Sequence, residues 1–411
     1  MADNFQFYPG RVKIEEVLLV QETRITDITL MCMEINVWTS IQDEGAVVNF
    51  MMVDAKNILS NLPISVGDKL EYTFEYSTGP KKFTVVLEKI EKLINLDNQR
   101  TYELSCVSQM TFDSRFMRIS KSYSGTTSDM ALAIFNKYGH SSEIGFWDQS
   151  IGNQKLIVPN WNPLEAISWL AERSKSTKGN FRFNFFQDGE LRYHFAPIER
   201  WLQHNKTNDP PVFSYNPVTS QVKGKPNSEA VQNAITSIKM HDAYDFPQDV
   251  STGAFGGTRN TFDLNTKSID VIKYNYWDDF KKENYLNNFP NMKRRNYTPG
   301  YIQNDVVLSN TQDNIQLNKV SDKSNLVVTN INNTQTLTIM IKGNSSIDLG
   351  QVIEVIIPSP EPHASDMKDH HDTSWSGRYY IIEKRDLYTR KGKQTALKIT
   401  KESNVLEEFG D

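Results

Sequence analysis

One short stretch occurs twice in this chain, and that repetition constrains the fold more than any other feature. The first copy begins Ile64-Ser-Val-Gly67-Asp-Lys-Leu70-Glu71-Tyr72-Thr-Phe74, the second Ile347-Asp-Leu-Gly350-Gln-Val-Ile353-Glu354-Val355-Ile-Ile357. At one constant offset Gly67 falls on Gly350, Leu70 on Ile353, Glu71 on Glu354 and Phe74 on Ile357. After a loop that is longer in the second copy, both resume with an apolar strand ending in Glu-Lys, Glu88-Lys89 and Glu383-Lys384. A turn follows, then Thr101–Cys106 against Thr395–Ile399. Chance matches a few apolar residues between strands, but rarely a glycine, a glutamate and a turn in the same order. The pattern reads as one β module used twice, with other material between the copies.

The 411 residues leave room for roughly two to four domains of ordinary size. A net charge of −5 gives no basic signature of nucleic-acid binding. Cys32 and Cys106 are the only cysteines, so neither a disulfide framework nor a zinc spacing is present. Both lie in strand-like runs, where buried free thiols are expected rather than a bridge. No apolar run approaches the ~18 residues of a membrane span, so no membrane insertion is expected. The first residues lack the basic and apolar regions of a signal peptide, so a soluble protein made in a cytoplasm is expected.

Strand-like runs at 12–21, 27–39 and 47–53 lead into the first copy and predict a small barrel or sandwich over 1–112. The pattern then changes. Thr126-Thr127-Ser-Asp129 caps one helix that Gly139 ends, and Asn162-Pro163-Leu-Glu165 opens another. Asp188-Gly189 between two apolar runs predicts a hairpin. These features define an α+β inserted domain over 113–215. The second β module is expected in two pieces, 216–241 and 334–411, around a polar second insertion over 242–333. The fold class is thus mainly β with α+β insertions: two homologous small antiparallel β-barrels in one chain.

Little in the sequence points to chemistry. Gly253-Ala-Phe255-Gly256-Gly257 matches neither a Walker loop nor a dinucleotide fingerprint and reads as a tight turn. Asp366, Asp369, His370, His371 and Asp372 are metal-ligand types, but adjacent histidines on a loop do not converge without a scaffold. A solvated loop is the expectation there, with no catalytic, metal or cofactor site. The aromatic runs 181–186 and 274–280 could stack on bases or sugars, although alternating aromatics are more often sheet core.

Several stretches together resemble the baseplate central hub proteins of T-even-type contractile-tailed bacteriophages, which are related to hubs of other contractile injection systems. Val53–Asp68 resembles the signature of their first barrel. Trp161–Leu170 resembles the helix of their inserted domain, and 253–267 with 274–281 their second insertion. Ser376-Gly377-Arg378-Tyr379-Tyr380-Ile381-Ile382 resembles their closing strand. The long 359–376 loop departs from the first copy, where a tight turn stands.

The resemblance implies a non-enzymatic virion protein of the tail baseplate with tail-tube-like barrels. Three chains would form a hollow cylinder, adapting a three-fold spike to a six-fold tube. It implies as partners the homotrimer, the spike or tail lysozyme protein, the tail tube or tube-initiator proteins and the tape measure protein. DNA would pass without specific binding. The competing classes are a tail-associated cell-wall hydrolase and a carbohydrate-binding module.

Strand parity adds one residue-level expectation. Leu70, Tyr72 and Phe74 share one face, as do Ile353, Val355 and Ile357, and these are assigned to the barrel cores. Glu71 and Glu354 then point the other way. Residues 1–110 carry about six more acidic than basic side chains by direct count. In a trimer the two glutamates would form a ring of roughly six carboxylates facing the lumen, repelling phosphate over about a Debye length. The other reading is that they keep an outer sheet face wet.

Overall fold

In a computed structural model of the chain, residues 12–405 are described apart from 56–60, 62–63, 77–78, 97–98, 140–141, 178–182, 198–199, 201–209 and 216–232. Further along, 244–246, 248–255, 276–285, 288, 291–301, 308–334, 344–346, 360–370 and 391 also lie outside the described residues.

The first module is built by period-two alternation. Its strands are β1 (Lys13–Gln21), β2 (Arg24–Asp27), β3 (Cys32–Ser40), β4 (Val47–Asp54), β5 (Lys69–Tyr76), β6 (Gly79–Leu96) and β7 (Gln99–Val107). They pair antiparallel in the order β2-β1-β5-β6-β7-β4-β3. Leu70, Tyr72 and Phe74 are buried with Val17, Leu19, Ile35, Phe50 and Leu104. Among the described residues β1 and β3 share no ladder. The turn between them bridges the gap instead: Ile28 N–H donates to the Val17 carbonyl at 2.9 Å and Val53 N–H to that of Met31 at 2.9 Å. Cys32 and Cys106 are free and buried in this core.

The inserted domain follows its local signals. It holds α1 (Gln109–Ser114), β8 (Ile119–Thr126), α2 (Thr127–Tyr138), β9 (Ile144–Trp147), β10 (Asn153–Trp161), α3 (Pro163–Glu172), β11 (Phe183–Gln187) and β12 (Tyr193–Pro197). Asn162 accepts from Glu165 N–H at 2.8 Å and donates to its carboxylate at 3.2 Å, a reciprocal cap with Pro163 in the first turn. Thr126 caps α2 by accepting from Asp129 N–H at 3.2 Å. The aromatics of β11 and β12 are sheet core on both faces. Phe183, Phe185 and Phe195 pack under the helices, whereas Phe186 joins the core of the second module. Phe181 and residues 276–280 of the other aromatic run lie outside the described residues.

The second module opens earlier than 216. β13 (Val212–Tyr215), placed by sequence in the inserted domain, hydrogen-bonds into this barrel, followed by β14 (Ala234–Ala243). The chain then leaves through β15 (Gly256–Asp263), β16 (Ser268–Asn275), β17 (Phe289–Pro290) and β18 (Ile302–Val307). It returns as β19 (Gln335–Lys342), β20 (Val352–Ile356), β21 (Gly377–Thr389), β22 (Gly392–Lys401) and β23 (Ser403–Asn404). Six strands, β21-β20-β13-β14-β19-β22, close on themselves because β21 pairs with β22 as well. Ile353, Val355 and Ile357 are buried inside with Leu337, Ile339, Tyr380 and Leu397.

The two modules share one strand order, with β1-β5-β6-β7-β4-β3 answering to β13-β20-β21-β22-β19-β14. One strand differs: β13 runs parallel to β20, whereas β1 runs antiparallel to β5. The repeated glycines occupy the same turn. Gly67 (φ 101°) donates its N–H to the Leu87 carbonyl at 2.9 Å, and Gly350 (φ 80°) to that of Ile381 at 3.0 Å. Both ladders bulge next, between Leu87 and Lys89 and between Ile381 and Glu383. Lys89 therefore corresponds to Glu383, not Lys384, and Cys106 to Ile399. The Glu-Lys match and the Thr101–Thr395 match are each out of register by one residue. A one-residue slip exchanges the faces of a strand: Lys89 is exposed and paired with Glu91, whereas Lys384 is buried.

Candidate assembly surface and the joint between modules

β21 is longer than one barrel requires, and its far half forms the joint. Gly377–Tyr380 pairs with β20, while Glu383–Thr389 pairs antiparallel with Ser40–Glu34 of β3. One thirteen-stranded sheet therefore runs through both modules. On the inner face Tyr388 enters the first module's core, stacking on Phe74 with ring centroids 3.9 Å apart. Its hydroxyl lies 3.2 Å from that of Tyr76. On the other face the Arg385 guanidinium sits 4.5 Å over the Trp38 ring and donates from Nε to Asn36 at 2.8 Å.

Beside this seam lies a buried charge cluster that sequence reasoning missed. Lys384 Nζ donates to the Ile347 carbonyl at 2.6 Å and lies 3.4 Å from both Asp348 and Asp386. Asp386 also meets Lys393 at 3.1 Å and accepts from Thr395 at 2.6 Å. Burial alone would depress the Lys384 ammonium, but Asp386 and Asp348 outweigh it and hold the group above its ordinary value. Burial prevails at Lys393, which is lowered despite Asp386. Parity could have found this cluster, because Lys384, Asp386 and Tyr388 share one face of β21. Asp386 and Tyr388 lie opposite Thr395 and Lys393 of β22.

The β11–β12 hairpin is the third party to the joint. Asp188 accepts from the N–H groups of Glu190 and Arg192 at 2.9 Å each. The His194 ring accepts the Phe146 N–H on Nδ1 at 3.1 Å, so Nε2 is the donor to Asp188 at 2.8 Å. Burial works to raise Asp188, but His194 and Arg192 overcome it and keep the carboxylate below its ordinary range. Arg192 lies 3.9 Å from Asp348, and Gln187 accepts the Ala46 N–H at 3.0 Å. These bonds tie the inserted domain to both barrels.

Glu71 and Glu354 both sit on the sheet face opposite the cores, and each has a basic neighbour. Glu71 forms a 2.6 Å ion pair with Lys82, and Glu354 lies opposite Arg378 in the β20–β21 ladder. A groove of about 680 Å³ between the first module and the inserted domain is lined by Trp38, Ser40, Glu44, Arg115, Asn162 and Glu383 among others. Burial, with the Glu165 carboxylate nearby, raises Glu44 there. Glu165 itself is committed to the α3 cap. Among the described residues no three His, Cys, Asp or Glu side chains are grouped to hold a metal. Asp366, Asp369 and His370 lie outside those residues; His371 and Asp372 are described, and Asp372 caps the turn to Ser374 and Trp375. Among the described residues no helix is long and apolar enough to cross a membrane.

No protein-family model matches the chain, and no curated protein matches it. Solved structures do. A tail protein from Neisseria meningitidis MC58 superposes with a TM-score of 0.57 at 13% identity, covering 95% of this chain and 96% of that one. The 43 kDa tail protein of prophage MuSo2 from Shewanella oneidensis superposes with a TM-score of 0.54 at 9% identity, covering 94% and 98%. At these identities the likeness is one of fold, and it extends over nearly the whole of each chain.

Proposed function

We propose that this chain is a structural subunit of a contractile phage tail: the baseplate hub, in which three copies form a hollow ring. The observation that carries this reading is the joint itself. Two modules of the same strand order are fused edge to edge in one sheet, so each chain supplies two of six like positions around an axis. A trimer then offers six-fold-like symmetry to a tail tube and three-fold symmetry to a spike. The whole-length likeness in fold to two tail proteins supports it.

The partners are two further copies of the chain, the spike or tail lysozyme protein, the tube or its initiator proteins, and the tape measure protein. The protein is made in the host cytoplasm and resides in the virion baseplate. Glu71 and Glu354 line the channel. Each has a basic neighbour, so the lining is mixed in charge and gives DNA little to hold, which is weaker than outright repulsion.

Co-expression with the spike protein, followed by light scattering, tests the assembly. A three-to-three complex is expected, and a stable one-to-one complex counts against the hub. Incubation with purified cell-wall material tests the alternatives: lysis supports a hydrolase, with Glu44 its candidate acid, and saturable retention a binding module.

A further inference from the structure

We propose that the groove between the first module and the inserted domain is a docking site for an extended segment of a partner protein. The segment lays a lysine or arginine side chain along the apolar lining, with its charged head at Asp43 and Glu44. This goes beyond the assembly proposed above and does not depend on it.

Three parts of the chain build the groove. The end of β3 and the following 43–45 loop form one wall, and α1 with the start of α3 forms the other. Glu383 of β21 reaches it from the second module. Its volume of about 680 Å³ is that of an ordinary ligand site. Gly45 sets the width: a Cβ there would stand 2.5 Å from Thr111 Oγ1, so a larger residue would push the loop and α1 apart. Gln187, accepting the Ala46 N–H at 3.0 Å, anchors the loop where it enters β4.

The lining suits a long side chain with a cationic end. Val107 and Leu164 are buried, Val47 is half-buried, and Trp38 is 43% exposed. Such a surface covers the hydrocarbon stem of lysine or arginine while the head stays at a polar rim.

The rim carries uncompensated negative charge. Arg115 is ion-paired with Glu88, and Glu383 with Lys398 at 2.6 Å. Asp43, Glu44 and the neighbouring Glu165 have no basic partner among the described residues. Burial, and after it the Glu165 and Asp43 charges, raises Glu44 even though the Ser168 hydroxyl donates to it. A cation seated among these carboxylates relieves their repulsion.

Two hydroxyls match a peptide backbone rather than a free amine. Ser40 and Ser114 line the groove and are each more than nine-tenths buried. Ser40 accepts the Gln42 N–H at 3.1 Å, and its own proton has no acceptor among the described residues. Ser114 donates to the Thr111 carbonyl at 2.9 Å, and its oxygen receives no donor among them. One unused donor and one unused acceptor answer to the C=O and N–H of an extended segment.

Calorimetric titration of the full-length chain tests the site. The probes are end-blocked Ala-Ala-Lys-Ala-Ala and its versions with arginine, norleucine or glutamate at the centre. The lysine and arginine peptides are expected to bind saturably, roughly tenfold more tightly than the norleucine peptide. A lysine peptide carrying a diazirine should crosslink, by mass spectrometry, to residues 38–47 and 107–115. Asp43→Asn and Glu44→Gln should each weaken it roughly threefold or more, whereas Glu22→Gln, an exposed acid outside the groove, should not. Equal binding of the norleucine peptide, crosslinks elsewhere, or an equal loss in Glu22→Gln overturns the site. Spermidine binding as tightly as the lysine peptide replaces the segment by a free polyamine and also overturns it. Binding of triacetylchitotriose in place of the peptides does the same in favour of a saccharide. Each of these failures leaves the hub reading standing.

Discussion

Tyr388, near the end of β21 in the second module, stacks on Phe74 of the first with its ring plane 18° from parallel and the centroids 3.9 Å apart. A residue of one barrel thus completes the core of the other. The first module has no ladder between β1 and β3 among the described residues, and Tyr388 belongs to its buried cluster. The two modules are consequently expected to unfold together.

Tyr388→Ala leaves a large cavity at this joint and should destabilise by about 3–5 kcal/mol. Denaturant melts followed by two probes, one in each module, should no longer coincide. Tyr388→Phe removes only the contact with the Tyr76 hydroxyl and should lose about 1 kcal/mol, with a single transition kept.

The repeated glycines should be equally intolerant. Gly67 and Gly350 occupy left-handed backbone, where a Cβ is strained by about 1–2 kcal/mol. At Gly67 the strain is purely conformational, since the nearest atom to a new Cβ is Phe112 Cζ at 3.8 Å. Urea midpoints of Gly67→Ala and Gly350→Ala should fall by similar amounts. A neutral result at either site would show that its turn differs from the other.

Lys401 offers a pH test. It is fully buried, donates to the Ser374 and Ser376 carbonyls at 2.8 and 2.9 Å, and is pushed down to about 7 by burial despite Asp372 and Glu402. An unfolded lysine titrates near 10.4. Between these values the unfolded chain binds the extra proton, so stability should rise with pH from about 7 toward 10, by on the order of 4 kcal/mol. Below 7 both states are protonated, and this contribution is flat. Lys401→Met should abolish the rise, read as the difference between variant and parent melts across that window.

Breaking the buried charge cluster should be severe. Asp386→Asn leaves Lys384 and Lys393 facing each other without their shared counter-charge and should destabilise by about 3–5 kcal/mol. A loss below 1 kcal/mol in thermal or urea melts would mean the cluster is hydrated.

The proposed lining of the channel by Glu71 and Glu354 is tested in particles. With Glu71→Lys and Glu354→Lys together, a lining made by these positions would turn basic, and DNA ejection is expected to slow, most at low salt. Unaltered ejection rates at every salt concentration would place the two residues on an outer wall.

Several features were legible in the sequence because local interactions set them. The caps of Thr126 and Asn162 bind amides three residues on, and strand parity follows from the pleat. The buried sets Leu70, Tyr72, Phe74 and Ile353, Val355, Ile357 could therefore be named directly. The repeat was legible because Gly67 and Gly350 meet the same left-handed turn. Tertiary structure decided whatever depends on a partner strand. The bulges after Leu87 and Ile381 set the register, so Lys89 is the structural equivalent of Glu383 rather than of Lys384. The direction of β13, with its transfer into the second barrel, is fixed by ladders to β20 and β14, which Val212–Tyr215 alone cannot specify. Lys384, Asp386, Lys393 and Lys401 look in sequence like solvated charges. Lys384, Asp386 and Lys393 lie beside the stretch of β21 that extends beyond its own barrel and presents one edge to β3, an outcome settled by pairing between residues more than 300 positions apart, whereas Lys401 is buried against the Ser374–Ser376 turn that leads into β21.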